Sequence, residues 1–164
     1  MYVTFEDISD QARIWIYQAD RKLSLSETSQ IEEAGQHFLN TWGAHGHDLR
    51  ASISVELDHF VIIAVDNEVQ LPTGCSIDQS VQFITTLGSK LGVDFFNRTR
   101  VSVWRDNSVL LKDLKEVKQE IKEGLLTRDT LVFNNLVSTK SDMKQWKIPA
   151  EHSWLGRFFP QKVH

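Results

Sequence analysis

Phe60-Val61-Ile62-Ile63-Ala64-Val65 is the longest strictly apolar run in this chain of 164 residues. Its length is that of a β-strand and far short of a membrane span. A strand with apolar side chains on both sides of its pleat is buried on both faces. We therefore expect this run to be the central strand of a sheet.

Three further strands are predicted on either side of this run. Residues 51–57 alternate between apolar and polar side chains, which is typical of a strand with one wet face. Leu57-Asp58-His59 then turns the chain back into the central strand. Residues 13–18 and 101–105 show the same alternation, so they are predicted to be the first and the fourth strand.

Three helices are predicted from the spacing of apolar residues. The first begins near Ser24, which forms a possible capping box with Glu27. The second runs from Ser76 to about Leu91, and the third covers residues 111–125. The order β-α-β-β-α-β predicts an α+β fold, a ferredoxin-like sandwich with a C-terminal helix and an apolar tail.

The length predicts one domain over residues 1–164, with its core in residues 12–126. The extension 127–164 is too apolar for a disordered tail. We expect it to be packed on the core or to lie in the interface of a possible homodimer.

Composition and charge exclude several classes of protein. One cysteine rules out an internal disulfide, and the N-terminus lacks the features of a secretory signal, so a cytoplasmic location is expected. The formal charge is −4, with −9 in residues 1–80 and +5 in residues 81–164. Either the halves interleave and neutralise each other, or the second half offers a basic surface to an acidic partner. The net sign argues against nucleic acid, and no membrane segment is evident.

The single cysteine lies at the predicted start of the second helix, in Leu71-Pro72-Thr73-Gly74-Cys75-Ser76-Ile77-Asp78-Gln79. Ser76 and Gln79 form a possible capping box, and a helix N-terminus favours an anion or a thiolate. The predicted topology brings this loop to the end of the sheet that carries Gly43–Asp48, and it brings His47 close to Asp66. A thiol, an imidazole and a carboxylate together would make an activated nucleophile.

The candidate nucleophile is Cys75, and the predicted binding residues are polar or lie at the helix start. They are His45, His47, Asp66, Gly74, Cys75, Ser76, Asp78, Asn134 and Asn135. Simpler interpretations stay open, because Cys75 can be a buried apolar residue, Ser76 a cap, and the histidines loop residues. His45-x-His47 followed by Asp48 could hold a metal with Cys75, but the pattern is common, and we expect no metal and no cofactor.

Two other stretches are unusual. Asn134 and Asn135 are flanked by apolar residues, so we expect one of them either to tie a loop to the fold or to orient a ligand. Lysines alternate with glutamates over residues 112–123, which is typical of a solvated helix face, with partner binding as the alternative.

Five segments of the chain resemble a family of small uncharacterised bacterial proteins that are often labelled "ABC transporter ATPase". They are residues 12–18, 44–46, 74–78 and 133–137, and Ser153-Trp154 with Arg157-Phe158. The resemblance covers nearly the whole chain but implies no established activity. The chain has no G-x-x-x-x-G-K-[ST] loop to hold phosphates, so it is not expected to be an ATPase.

The expected function is a non-enzymatic binding or interaction module with a polar cleft near Cys75. Its partner would be a small polar or anionic ligand, or a protein. The alternatives are a thiol-based enzyme or redox sensor that uses Cys75, and a structural homodimer that buries the apolar face of the sheet.

Overall fold

The computed structural model describes residues 1–68 and 70–161, which divide into two compact units. Unit 1 contains Met1–Asn97 and Asn135–Met143, and unit 2 contains Arg98–Asn134 and the residues from Lys144 onward. The predicted core, residues 12–126, contributes to both units, and so does the predicted extension.

Unit 1 is built on an antiparallel sheet of three strands. They are β1 (Arg13–Gln18), β4 (Ala51–Glu56) and β5 (Phe60–Val65), and β5 lies between the other two. Each of the six residues of β5 pairs with one residue of β1 and one of β4. All six are fully buried, as predicted from their apolar side chains.

Two helices cover one face of this sheet, α1 (Leu25–Thr41) and α2 (Gly74–Leu91). Val61, Ile63 and Val65 of β5 lie in the same hydrophobic cluster as Ile31 and Leu39 of α1. Because side chains alternate along a strand, Phe60, Ile62 and Ala64 point to the opposite face. The predicted capping box of α1 is present, with Ser24 and Glu27 each accepting a hydrogen bond from the other's backbone N–H.

The start of α2 differs from its prediction. The helix begins at Gly74 with Thr73 as its N-cap, two residues before the predicted start, and Ser76 lies in the first turn. Thr73 and Ser76 have the spacing of a capping box, as do Ser76 and Gln79. Thr73 is the N-cap because its hydroxyl accepts the Ser76 N–H and the Ser76 hydroxyl accepts the Thr73 N–H in return.

Part of the predicted extension borders the edge of the sheet in unit 1. Ile14 donates its N–H to Ser138 O (2.9 Å), and Lys140 donates its N–H to Ala12 O (2.9 Å). The Lys140 ammonium also donates to Phe5 O (2.7 Å) and Ile8 O (2.8 Å). The bond from Ile14 satisfies a backbone group that the edge strand β1 would otherwise expose, and the others tie the N-terminal segment to Lys140.

Unit 2 has its own antiparallel sheet of four strands, in the order β7-β6-β8-β9. The strands are β6 (Arg100–Arg105), β7 (Ser108–Asp113), β8 (Leu131–Phe133) and β9 (Lys147–Pro149). Helix α3 (Leu114–Glu123) packs on it together with two short 3₁₀ helices, Ala150–His152 and Trp154–Phe158. Their shared hydrophobic cluster contains Val101, Val103, Val117, Leu126, Val132, Ala150, Leu155 and Phe159.

The mixed α+β class is confirmed, but the ferredoxin-like sandwich is not. That topology needs β6 in the same sheet as β1, β4 and β5. Instead β6 hydrogen-bonds to β7 and β8. The difference comes from β7, whose residues 111–113 were predicted as the start of the third helix. Asp106 and Asn107 both have positive φ, and this turn folds residues 108–113 back onto β6.

No helix in the described part of the chain is long and apolar enough to cross a membrane.

The close approach at Gly88 of α2 gives a test of the packing in unit 1. A Cβ at this buried position would lie 2.5 Å from Val93 O, so the backbone would have to shift. We expect Gly88→Ala to lower the free energy of unfolding by about 1–3 kcal/mol in urea denaturation. Gly74→Ala on the same helix is the control, because no atom lies within 4 Å of its Cβ position. Equal stability of the two variants would contradict the packing described here.

The ion pair at the capping box of α1 can be tested through the pKa of Glu27. Arg21 Nη2 lies 2.6 Å from Glu27 Oε2, and the Ser24 N–H donates to Oε1 of the same carboxylate. The Arg21 hydrogen bond, with that of Ser24, lowers the pKa of Glu27 from 4.5 to about 2. A lowered pKa stabilises the fold above pH 4.5, and the contribution is lost as the pH falls toward 2.

An NMR titration of the Glu27 carboxyl resonance measures this pKa directly. We expect Arg21→Ala to raise it toward 4.5, since the strongest donor is removed. Lys22→Ala is the matched control, because Lys22 is exposed and makes no contact with Glu27. A value near 4.5 in the unaltered protein would rule out this ion pair.

Candidate functional site

The first turn of α2 satisfies its own polar groups. Ser76 is 1% exposed, and its hydroxyl donates to Thr73 O (2.8 Å) while it accepts the Thr73 N–H (2.7 Å). Ser76 is therefore a capping residue of the helix, as the simpler interpretation expected. Its predicted neighbours Gly74, Cys75 and Asp78 have exposed side chains or backbone.

The end of α1 lies against this turn. Trp42, the residue that ends α1, donates its indole N–H to Ser76 O at 2.8 Å, and both residues are buried. The bond joins two connections that are distant in the chain, the one after α1 and the one before α2. Because the indole is held in the core, it fixes where α2 begins.

The two candidate histidines lie on a small hairpin just after Trp42. Its strands are β2 (Gly43–Ala44) and β3 (His47–Asp48), and His45 and Gly46 both have positive φ in the turn between them. Both imidazoles are exposed, and neither forms a hydrogen bond or ion pair with any residue in 1–68 or 70–161. They are solvated turn residues in this structure.

Asp66 has a different partner from the one predicted. It is 6% exposed, lies 3.7 Å from the Arg50 guanidinium, and accepts the Glu68 N–H (3.0 Å). Arg50 precedes β4, and its carbonyl also accepts the Asp66 N–H. The pairing of β4 with β5 therefore places the Asp66 carboxylate beside Arg50. No hydrogen bond or ion pair among the described residues joins Asp66 to His47.

Cys75 is an exposed thiol at the second residue of α2. Within the described ranges it is hydrogen-bonded to neither histidine, and no group of three metal-ligating side chains is found. The relay of thiol, imidazole and carboxylate is thus not assembled here. Exposure also removes the interpretation that Cys75 is a buried apolar residue.

The two asparagines do not act together. Asn135, in unit 1, donates its side-chain N–H to Gln18 Oε1 (3.0 Å) at the end of β1. Asp66 follows Val65, which pairs with Arg13 at the other end of β1, about 17 Å away at the rise of a strand. Asn134 belongs to unit 2, where its backbone N–H donates to Trp146 O. Asn135 thus ties a loop to the sheet, which was one of the two expectations.

A groove that was not predicted from the sequence lies between α1 and α2. Its volume is about 460 Å³, and we call it the α1–α2 groove. The residues that line it are Phe38, Thr41, Trp42, Gln79, Gln82, Phe83 and Thr86. Cys75 lies four residues before Gln79, so both are on the same side of α2.

Aromatic rings form the floor of this groove. The rings of Phe38 and Phe83 are stacked with centroids 4.5 Å apart and planes 4° from parallel. The Trp42 ring lies 5.4 Å from Phe38. Both phenylalanines are only partly buried, so the stacked pair is partly accessible to solvent.

Uncharged polar side chains form the rim. Gln79, Gln82, Thr41 and Thr86 are exposed, and none of the lining residues carries a charge. The Thr41 hydroxyl is used locally, donating to Phe38 O (3.1 Å). The amides of Gln79 and Gln82 make no hydrogen bond with other residues in the part of the chain that the structure describes.

A second concavity of about 410 Å³ lies at the other end of α2, beside Gly88 and Gly92. Two carboxylates line it, but both support the local backbone. Asp20 accepts the Asp94 N–H (3.1 Å), and Asp94 accepts the Phe96 N–H (2.8 Å). Each of these carboxylates is thus engaged by a backbone N–H, unlike the amides of Gln79 and Gln82 in the α1–α2 groove.

No protein-family model, no curated protein and no solved structure matches this chain. The resemblance to the small bacterial proteins therefore stays an expectation.

Because Cys75 is exposed and has no imidazole partner among the described residues, we expect its thiol to be accessible and of ordinary reactivity. We expect the native protein to react with one equivalent of 5,5′-dithiobis(2-nitrobenzoate) (DTNB), and Cys75→Ser not to react. Replacing His45 and His47 by alanine is expected to leave the rate unchanged, because neither imidazole contacts the thiol. A thiol that reacts only after unfolding, or a rate that falls in the histidine variant, would contradict this geometry.

Proposed function

We propose that this protein is a non-enzymatic binding module and that the α1–α2 groove is its ligand site. The observation that carries the proposal is the partly exposed stacked pair Phe38–Phe83, in a groove also lined by two amides that no described residue engages. A small-molecule site has this composition, apolar and aromatic walls with a few convergent polar groups. The volume of about 460 Å³ is also in the range of such sites.

The lining favours a neutral, flat and polar ligand over an anionic one. An exposed stacked pair offers a planar apolar surface on which another ring gains offset-stacking contacts. Gln79 and Gln82 each offer both donors and an acceptor, which suits an amide or a heterocycle. A carboxylate or phosphate would find no cation in the lining. Of the two expected ligand classes, small polar and small anionic, we therefore propose the first.

Two features make the groove pre-organised. Trp42 is held by its hydrogen bond to Ser76, and Phe38 lies one turn earlier on α1. Phe83 lies on α2, whose first turn is fixed by the same bond. A ligand would meet rings already in place and would lose less free energy to ordering them. We also place the module in a reducing compartment, in accord with one exposed thiol and no disulfide.

The alternative functions have less support. A thiol enzyme or redox sensor has the exposure of Cys75 in its favour but lacks a base beside the thiol. A homodimer through the apolar sheet face would need that face to be free. Phe60, Ile62 and Ala64 are already 0% exposed in the single chain, so a dimer would have to use another surface.

Fragment binding followed by NMR tests the proposal. We expect benzamide to shift the side-chain amide resonances of Gln79 and Gln82 and the indole resonance of Trp42, in a saturable way. Benzoate, of the same shape but charged, is expected to bind more weakly. Replacing both glutamines by alanine removes two neutral hydrogen bonds, which is expected to weaken benzamide binding roughly tenfold.

Gln36→Ala is the matched control, since Gln36 is an exposed glutamine on α1 that does not line the groove. It should leave the affinity unchanged. The proposal fails if benzamide causes no saturable shift at the groove, or if the double glutamine variant binds it as well as the unaltered protein does.

A further inference from the structure

The charge asymmetry of the chain follows the two units. Unit 2 contains 12 Lys and Arg against 7 Asp and Glu, a formal charge of +5, while unit 1 has 6 against 15, a charge of −9. Although residues 81–97 and 135–143 of the second half belong to unit 1, the net charge stays divided, negative in unit 1 and positive in unit 2. Because salt screens charges beyond about 8 Å, a partner responds to the local charge of a surface rather than to the net charge.

Part of the basic charge of unit 2 forms a stripe on α3. Lys115, Lys118 and Lys122 fall within about 60° of arc at 100° per residue. All three are exposed, and none pairs with a carboxylate of the described residues. Glu116 and Glu120 project from the opposite flank, where Lys112 lies 3.3 Å and 3.2 Å from their carboxylates. The lysines and the acids of α3 are thus segregated rather than mixed.

An aromatic cluster continues this stripe. Lys118 Nζ lies 4.8 Å from the centre of the Phe158 ring, so the 3₁₀ helix Trp154–Phe158 lies beside α3. The Arg157 guanidinium lies 4.8 Å from the Phe158 ring and 5.7 Å from the Trp154 ring. Trp154 is 47% exposed, a large apolar area for a surface side chain.

The rings hold the guanidinium without using its donors. Arg157 forms no hydrogen bond and no ion pair with the residues that the structure describes, and its side chain is exposed. The backbone that carries it is fixed, because Ser153 accepts the Leu155 N–H (3.1 Å) and Leu155 is fully buried. A guanidinium held over aromatic rings has its N–H groups positioned to donate two parallel hydrogen bonds to a carboxylate.

We propose that Lys115, Lys118, Lys122, Trp154, Arg157 and Phe158 form a basic–aromatic surface that docks an acidic segment of a partner protein. Arg157 would bind one carboxylate through two parallel hydrogen bonds, and the lysines would attract its acidic neighbours. Trp154 would cover an aromatic or apolar side chain of the same segment. Exposed Trp and Arg side chains are the residues that dominate the binding energy of protein interfaces.

The observations favour a short acidic peptide over nucleic acid. The lysine stripe spans about 10 Å of helix, which matches a few acidic side chains. Nucleic acid binding typically neutralises about 6–10 phosphates, whereas this surface offers four cations, Lys115, Lys118, Lys122 and Arg157.

Fluorescence anisotropy on the full chain tests the proposal, with a labelled oligoglutamate peptide that contains one central phenylalanine. We expect binding at low salt that weakens as salt is added. Reversing two exposed charges, in the double variant Lys118→Glu with Arg157→Glu, turns attraction into repulsion. It is expected to weaken binding tenfold or more, about 1.4 kcal/mol for each factor of ten. Trp154→Ala is expected to weaken this peptide but not one with glycine in place of phenylalanine.

Lys90→Glu with Lys144→Glu is the matched control, because both lysines are exposed and the change in net charge is the same. It should leave the affinity within about twofold, given local screening. Circular dichroism will show that all variants are folded. The proposal is overturned if the unaltered protein does not bind the peptide at low salt, if both double variants weaken it equally, or if single-stranded DNA of equal charge binds more tightly.

Discussion

Strand β5 is the constraint on which unit 1 depends, because its backbone is hydrogen-bonded on both sides and its side chains are buried on both faces. A slip of one residue against β1 or β4 would exchange the side chains of the two faces and break the match with the helices. The register therefore fixes the ends of the neighbouring strands. It places Arg50 beside Asp66, and it sets the point at which the chain leaves β5 toward α2.

The elements of unit 1 could be predicted from the sequence because each has a strong local signal. Residues 60–65 are apolar throughout, and Ser24 has Glu27 at the right spacing for a cap. The failures have local causes too. The cap of α2 was predicted at Ser76 because Gln79 follows at the spacing of a capping box, but Thr73 is the N-cap, since the Ser76 hydroxyl accepts the Thr73 N–H. In unit 2 the Asp106-Asn107 turn was a usable hairpin signal, and with it the strand that became β7 could have been separated from α3.

The candidate site was harder to predict because it depends on pairs of side chains distant in the chain. The meeting of the two connections was expected, and Trp42 and Ser76 lie there together. The chemistry expected there is not found, because Asp66 pairs with Arg50 instead of His47 and the imidazoles are exposed to solvent. The stacked pair could not be predicted either, because Phe38 and Phe83 lie on different helices and meet only once α1 and α2 are packed together.

In both proposed surfaces a buried residue fixes the position of exposed aromatic side chains, although the chemistry of the two surfaces differs. In the α1–α2 groove, the buried Trp42 fixes the helices that carry the stacked rings and the free amides. In unit 2, the buried Leu155 and the cap at Ser153 fix the turn that carries Trp154 and Arg157. In each case the backbone that carries the exposed rings is held by a neighbour in a hydrophobic core, so positioning these rings on binding costs little. The difference lies in charge. The groove has none in its lining, so its affinity should be insensitive to salt, whereas the basic–aromatic surface depends on charges that salt screens. As proposed, the two surfaces would therefore bind a small neutral ligand and an acidic partner under separate control.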